Sequence, residues 1–237
     1  MAMYGDQVGL RLLRTLAQER GQIITAEDAV AAGSDQGASP AHVYKVLSEM
    51  AGSGLIRRLK GGLYAIEAPL GGRGAPHDFA IATHLARPSA ISHWSALHHW
   101  GLMDQVPLRT VTASTTQRVP SPPGSPGHAG WIIDGITYRF VRVPEQHMFG
   151  IVDVWVDSET RVPFFDRERT VLDAFVQTRD FGRGHVGEML MATHHDDLDL
   201  DRLAHYAEKL GRAVVVKRVR HALSKTGARE LSEAVAD

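Results

Sequence analysis

A tight glycine turn between two apolar-rich arms restricts the fold of this chain more than any other feature. The stretch LIRRLKGGLYAI, residues 55–66, is typical of a β-hairpin. Gly61 and Gly62 form its turn, because glycine readily adopts the positive φ that a tight hairpin turn needs. Three cations crowd the first arm, namely Arg57, Arg58 and Lys60.

Strict alternation along this arm predicts which side chains share a face. One face carries Leu55, Arg57 and Leu59, and the other carries Ile56, Arg58 and Lys60. We expect Ile56 to pack on the preceding helix, which leaves Arg58 and Lys60 able to reach phosphates. Arg57 then holds the hairpin to the rest of the domain.

Three short helices are predicted before the hairpin. Leucines at helical spacing indicate a first helix that ends near Gly21. Thr25 is typical of a helix N-cap, with Asp28 at the third helical position, where its carboxylate reaches back to free backbone amides. Ser39 caps a third helix and Pro40 occupies its first position, where the missing N–H of proline costs nothing.

The third helix has one buried and one exposed face. Its predicted apolar stripe consists of Val43, Val46, Leu47 and Met50. The opposite face carries Ala41, Lys45 and Ser48, flanked by His42 and Tyr44. The small side chains allow a duplex to approach closely, and the lysine supplies positive charge.

Three short helices followed by a β-hairpin are the arrangement of a winged helix-turn-helix, whose third helix enters the major groove of DNA. The predicted DNA-binding residues are Ser39, Ala41, His42, Tyr44, Lys45, Ser48, Arg57, Arg58, Lys60, Gly61 and Gly62. An alternative stays open, because winged helices also dock proteins and a basic hairpin also serves as a solvated sheet edge.

The composition limits the functional classes. The 237 residues carry a formal net charge of −1, so DNA binding must come from a local basic patch. The absence of cysteine excludes disulfides, thiol catalysis and Cys-ligated zinc. No apolar run approaches the roughly 18 residues of a membrane span, and no signal-peptide pattern begins the chain. We therefore expect a cytoplasmic protein with no membrane partner.

A glycine- and proline-rich segment, residues 69–77, is typical of a linker. It separates a predicted winged-helix domain, residues 1–68, from a second domain, residues 78–237. The second domain begins with two predicted helices broken at Arg87-Pro88. Strand-like runs and further helices follow, so the predicted fold class is α+β with a mixed helix–strand C-terminal domain.

Several stretches occur in an order that resembles one known family. After the winged helix come RPSAISHWSALHHWGL, YRFVRV, FFDRERTVLDAF and LDRLAHYAEKLGRAVVVKRVRHAL. Over nearly the whole chain this order resembles the AbiE-type antitoxins (AbiEi). Members of that family are transcriptional regulators encoded beside a nucleotidyltransferase-like toxin in type IV toxin–antitoxin and phage-defence systems.

The resemblance implies a division of labour between the two domains. The N-terminal domain is expected to bind the operon's own promoter as double-stranded DNA and to repress transcription. The C-terminal domain is expected to counteract the cognate toxin. This reading requires no cofactor and no enzymatic activity.

Three carboxylates, Asp166, Glu168 and Asp173, are the candidates for acid–base or metal chemistry. Asp166 and Glu168 also stand where a helix N-terminus favours negative charge, which predicts a structural role. Two alternatives to the antitoxin reading stay open. The C-terminal domain could modify the toxin or a nucleic acid, or it could sense a small ligand.

The histidine-rich stretches predict no metal site. HWSALHHW lacks the i, i+4 spacing of two histidine ligands on a helix, and THHDDLDLD lacks the glycine and glutamate of an EF-hand loop. The run KRVRH is predicted to lie on the outer face of a helix. It is either a solvated face or a partner surface formed by Lys217, Arg218, Arg220 and His221.

Overall fold

The computed structural model describes residues 3–67, 75–104, 109–120, 130–176 and 185–226. Contacts within the chain divide it into two units, Met1–Leu85 and Ala86–Asp237. Each unit combines helices with a β-sheet, so the predicted α+β class is confirmed. In the part of the chain that the structure describes, no helix is long and apolar enough to cross a membrane.

The first unit packs its helices against a three-stranded antiparallel sheet. Its helices are α1 (Met3–Arg20), α2 (Ala26–Asp35), α3 (Pro40–Gly52) and α4 (Asp78–Leu85). Its strands, in the spatial order β1-β3-β2, are β1 (Ile23–Thr25), β2 (Ile56–Lys60) and β3 (Leu63–Ile66). One core joins α1, α2 and α3 to the sheet, and its most buried side chains include Leu13, Leu16, Ile24, Leu47 and Ile56.

Side-chain caps determine where α2 and α3 begin, as predicted. The Thr25 hydroxyl accepts a hydrogen bond from the Asp28 amide at 3.0 Å, and the Asp28 carboxylate accepts one from the Thr25 amide at 3.0 Å. The Ser39 hydroxyl accepts a hydrogen bond from the His42 amide at 3.3 Å, with Pro40 as the first residue of α3. Caps of this kind contribute about 1 kcal/mol each.

The hairpin formed by β2 and β3 turns at Gly61 and Gly62, and Gly62 has a φ of +73°. Arg58 pairs with Tyr64, but a bulge then shifts the register so that Lys60 pairs with Leu63. Adjacent residues of β3 point to opposite faces of the sheet. Lys60 therefore leaves the face of Arg58, and the strict alternation predicted for this arm is wrong at its last residue.

The second unit is built on a six-stranded mixed sheet. Its helices are α5 (His93–His99), α6 (Arg167–Val176), α7 (Val186–His194), α8 (Leu200–Leu210) and α9 (Ala213–Lys225). Its strands are β4 (Ser89–Ile91), β5 (Thr110–Thr115), β6 (Gly130–Ile133), β7 (Ile136–Arg142), β8 (Ile151–Trp155) and β9 (Arg161–Phe165). Their spatial order is β6-β7-β5-β4-β9-β8, with parallel pairing between β5 and β7 and between β4 and β9.

The predicted strand-like runs of the second unit are confirmed, but a central strand was not predicted. The segment around Arg87-Pro88 was expected only to break two helices. It leads instead into β4, whose three residues pair with β5 on one side, while Ile91 pairs with Phe164 of β9 on the other. Between β6 and β7, Asp134 and Gly135 form a turn with φ values of +51° and +74°.

A helical core covers α5 to α9 of the second unit. Leu97 of α5 is fully buried, and Trp94 and Trp100 pack against this core. Asp199 caps α8 by accepting a hydrogen bond from the Arg202 amide at 2.9 Å. The helix ends at Gly211, which has a φ of +69°.

The boundary between the two units lies after residue 85, whereas the predicted second domain begins at residue 78. The sequence assigns residues 78–85 to the second domain, whereas their helix α4 groups with the first unit and contacts β1. Most of the predicted linker 69–77 lies outside the described residues. The predicted domain boundary therefore stays a prediction.

Candidate nucleic-acid interface

The outward face of α3 carries the helical residues that were predicted to bind DNA. All five are exposed, and they are Ala41, His42, Tyr44, Lys45 and Ser48. The predicted stripe on the opposite face is buried, and it consists of Val43, Val46, Leu47 and Met50. Tyr44 keeps 52% of its surface exposed, so its aromatic ring is available to a ligand.

Lys45 is the cation on this face of α3. Its ammonium group lies 3.8 Å from a carboxylate oxygen of Glu49, one helical turn away, and both side chains are mostly exposed. An exposed pair of this kind is worth only about 0.3–0.5 kcal/mol. A phosphate can therefore replace Glu49 as the partner of Lys45. Ser39 differs from these residues, because its hydroxyl caps the helix.

The three cations of the hairpin have different surroundings. The Arg57 guanidinium donates to the Glu67 carboxylate at 2.6 Å, which links the two arms of the hairpin to each other. The predicted role of Arg57 in holding the hairpin to the rest of the domain stays a prediction. Arg58 is exposed, and its guanidinium lies 5.6 Å from the centre of the Tyr64 ring. Arg58 is thus the cation of this hairpin with the freest access to a phosphate.

Lys60 is engaged inside the first unit. Its ammonium group donates to the carbonyl of Leu85 at 2.6 Å, at the C-terminus of α4. Burial lowers the pKa of Lys60. The turn beside it is also held, because the Gly62 carbonyl accepts a hydrogen bond from the Ala26 amide at 2.8 Å, while Gly61 is exposed. No local sequence pattern marks these contacts, since their partners lie far along the chain.

The Asp166 carboxylate in the second unit is buried and engaged on both oxygens. One oxygen accepts the Arg169 amide at 2.7 Å, so Asp166 caps α6 as predicted. The other accepts the Tyr206 hydroxyl at 2.8 Å. Burial raises the pKa of Asp166, and burial together with this hydrogen bond raises the pKa of Tyr206 to about 12.

Glu168 and Asp173 are buried and have internal partners as well. The Glu168 carboxylate accepts the Asp199 amide at 3.0 Å and lies 3.4 Å from the Arg202 guanidinium. Asp173 forms an ion pair with Arg169, one turn away on α6, and both side chains are almost fully buried. These contacts favour the structural role of the carboxylates over the catalytic alternative.

The four residues of the basic run on α9 do not form one exposed surface. Arg218 is half-buried, and its guanidinium donates to the Phe175 carbonyl at 2.9 Å and to both Glu188 oxygens at 3.0–3.1 Å. Lys217 and His221 are exposed, and Arg220 is half-buried. A partner surface on this helix would therefore be smaller than predicted.

A cavity of about 220 Å³ lies between α7 and α9 of the second unit. Glu188, His195 and Lys225 are the charged or titratable residues of its lining. Ligand sites commonly measure roughly 300–1,000 Å³, so this cavity gives little support to ligand sensing. Among the residues described by the structure, no three histidine, aspartate or glutamate side chains gather as they would around a metal ion.

Comparison with known proteins gives information about the fold. No protein-family model matches the chain, and no curated protein matches its sequence. The crystal structure of the Rv2827c protein from Mycobacterium tuberculosis is similar, with a TM-score of 0.61 and 19% identity. The similarity covers 97% of this chain and 80% of that one. At this identity the similarity is one of fold alone.

Proposed function

We propose that this protein is an AbiE-type antitoxin that also represses its own promoter. In this proposal the first unit is a winged helix-turn-helix that binds double-stranded DNA, and the second unit counteracts a nucleotidyltransferase-like toxin. The observation that carries the DNA-binding half is the outward face of α3. It is uncovered and polar, and a capped N-terminus fixes where the helix begins.

The proposed DNA contacts follow from the exposed side chains. α3 enters the major groove with Lys45 and Tyr44 outward, and the small residues Ala41 and Ser48 permit the close approach. The hairpin lies along the phosphate backbone, where Arg58 makes an ionic contact. A net charge of −1 gives little long-range attraction, so these few cations must supply most of the electrostatic affinity.

The antitoxin half of the proposal is supported by the ordered sequence resemblance, which extends through the second unit. The internal partners of Asp166, Glu168 and Asp173 also favour a non-enzymatic role, because these carboxylates hold α6 and α8 in place. We therefore propose that the second unit acts by binding rather than by chemistry.

Promoter binding tests the DNA half. The affinity of the full chain for the duplex upstream of its own gene is measured over a range of salt concentrations. We expect Lys45→Ala to lower the slope of log affinity against log salt by about 0.9, the amount for one phosphate contact. Lys217→Ala is the matched control, since it removes the same charge from an exposed position on α9 of the second unit.

The DNA half is wrong if a folded Tyr44→Ala/Lys45→Ala double variant keeps the affinity and salt slope of the wild type. Co-expression with the product of the neighbouring gene tests the antitoxin half independently. We expect the full chain to restore growth of cells that produce that protein, and Lys45→Ala to restore it equally. Growth arrest that persists with soluble chain present would refute the antitoxin half and leave the DNA half standing.

A further inference from the structure

The strand β8 forms one edge of the six-stranded sheet in the second unit. Among the described strands it pairs only with β9. Natural edge strands are usually short, charged or covered, because their unpaired backbone groups recruit other strands. β8 has five residues, Ile151–Trp155, and only the middle one is charged.

The hydrogen bonds to β9 determine which backbone groups of β8 are already used. The Asp166 amide donates to the Gly150 carbonyl at 2.8 Å, and the Val156 amide donates to the Thr160 carbonyl at 3.0 Å. In an antiparallel pair every second residue bonds to the partner strand. The backbone amides and carbonyls of the even-numbered residues of β8 therefore bond to β9. Those of the odd-numbered residues point away from β9, toward the open edge of the sheet.

The residues whose backbone groups point to the open edge are Ile151, Asp153 and Trp155. Because side chains alternate along a strand, those of these three residues lie on one face of the sheet. Ile151 is 42% exposed and Trp155 is 57% exposed. Pro163 lies opposite Asp153 on β9, at a position where the ladder requires no amide from it. The edge thus offers two large apolar side chains with one carboxylate between them.

The surroundings of Trp155 are typical of a residue that contributes strongly to a protein interface. The Arg161 guanidinium, opposite it on β9, lies 4.8 Å from the centre of the indole ring. This contact covers part of the ring and leaves the remainder exposed. Tryptophan and arginine are enriched among the residues that carry most of the energy of protein interfaces.

The negative charge of Asp153 determines which kind of strand can pair with β8. If a second copy paired antiparallel along the full length of β8, Asp153 would face its own equivalent, and like charges directly opposite each other are destabilising. A strand with a cationic side chain at that position replaces the repulsion with an attraction. We propose that β8 binds an extended segment of a partner protein, with a lysine or arginine opposite Asp153 and apolar residues opposite Ile151 and Trp155.

The proposal is independent of DNA binding and is tested on the full chain with synthetic peptides. The probe is a blocked peptide that contains Val-Thr-Lys-Thr-Val, and its control carries glutamate in place of lysine. Calorimetric titration measures both affinities. We expect the lysine peptide to bind roughly 1.5- to 5-fold more tightly, the range for one favourable cross-strand charge pair.

Further protein variants and modified peptides distinguish strand pairing from non-specific attraction. Asp153→Lys should reverse the preference between the two peptides, and Trp155→Ala should weaken both. N-methylation of the peptide lysine should abolish binding, because its amide pairs with Asp153, whereas N-methylation of an adjacent threonine should be tolerated. Ile132→Ala, which alters an exposed residue on the opposite edge strand β6, should change nothing.

Three outcomes would overturn the proposal. One is failure of both peptides to bind the wild-type chain. Another is an unchanged preference in a folded Asp153→Lys variant. The third is a wild-type dimer in sedimentation experiments that Trp155→Ala dissociates, because a second copy would then occupy the edge.

Discussion

Gly150 shows how a single residue without a side chain determines local packing. It stands before β8 with a φ of +66°, a conformation that other residues adopt at a cost. A Cβ atom added there would lie 2.8 Å from the Cβ of Arg169 and 3.1 Å from the Tyr206 ring. The glycine thus allows the chain to pass close to the buried Arg169–Asp173 pair.

We expect Gly150→Ala to lower the free energy of unfolding by roughly 3 kcal/mol, because backbone strain and overpacking add together. Gly211→Ala is the matched control. Gly211 has a φ of +69°, but a Cβ there would come no closer than 4.0 Å to the Glu208 carbonyl. It should therefore cost only about 1–2 kcal/mol. Equal losses in urea unfolding of the two variants would show that the close approach to Arg169 is not a constraint.

Arg58 and Lys60 of the hairpin should contribute differently to promoter binding, because their surroundings differ. We expect Arg58→Met to lower the salt slope of promoter binding by about 0.9, since it removes an exposed cation. Lys60→Met removes the same charge but should leave the slope almost unchanged, because the ammonium group is bonded to the Leu85 carbonyl. It should instead reduce stability by about 1 kcal/mol. A loss of slope in Lys60→Met equal to that in Arg58→Met would contradict this assignment.

At the scale of elements, Arg218 joins α9 to α7 through Glu188. Burial alone would raise the pKa of Glu188, but the hydrogen bonds from its own backbone amide and from Arg218 outweigh burial and lower it. A carboxylate whose pKa is lowered in the folded state adds stability above its unfolded pKa of about 4.3. That stability is lost as the pH falls from there through the folded pKa.

We therefore expect Glu188→Gln to destabilise the protein by about 1.5–3 kcal/mol at pH 7, the range for hydrogen bonds to charged groups. The difference from the wild type should shrink below about pH 4, where Glu188 itself becomes protonated. Glu49→Gln is the control, because its exposed pair with Lys45 should contribute almost nothing. A difference that stays constant down to pH 2 would exclude the ionic role of Glu188.

Elements were predictable from the sequence where their signals are local. The capping box at Thr25, the Ser39-Pro40 start of α3 and the glycine turn of the hairpin all lie within a few residues of the structure that they determine. The strands β1 and β4 were missed because each has only three residues, too few for a periodic pattern. Distant strands hold both of them in place, and β4 lies in the middle of its sheet.

The candidate site was predictable on the helix and less so on the hairpin. The outward face of α3 follows from the spacing of its apolar stripe. The separation of Arg57, Arg58 and Lys60 does not follow, because it depends on a bulge and on partners such as Glu67 and the Leu85 carbonyl. A bulge leaves no mark in a pattern of alternating residues, and a contact with α4 crosses the predicted linker.

At the scale of the whole molecule, the placement of α4 decides where the first unit ends. Ile81 and Leu85 of this helix are 1% and 3% exposed, and α4 contacts β1. Its C-terminal carbonyl at Leu85 also receives Lys60. A first unit that ends before residue 78 would lose this hydrogen bond and the contact between α4 and β1.

We predict that the fragment 1–85 unfolds at a higher urea concentration than the fragment 1–77. Burial of one large aliphatic side chain is worth about 1.5–3 kcal/mol, so we expect a difference of at least about 2 kcal/mol. Ile81→Ala within 1–85 should remove much of that difference. Both fragments keep α3, so their promoter affinities should agree wherever both are folded. Equal stabilities would instead assign α4 to the second domain and support the boundary that the glycine-rich segment 69–77 predicts.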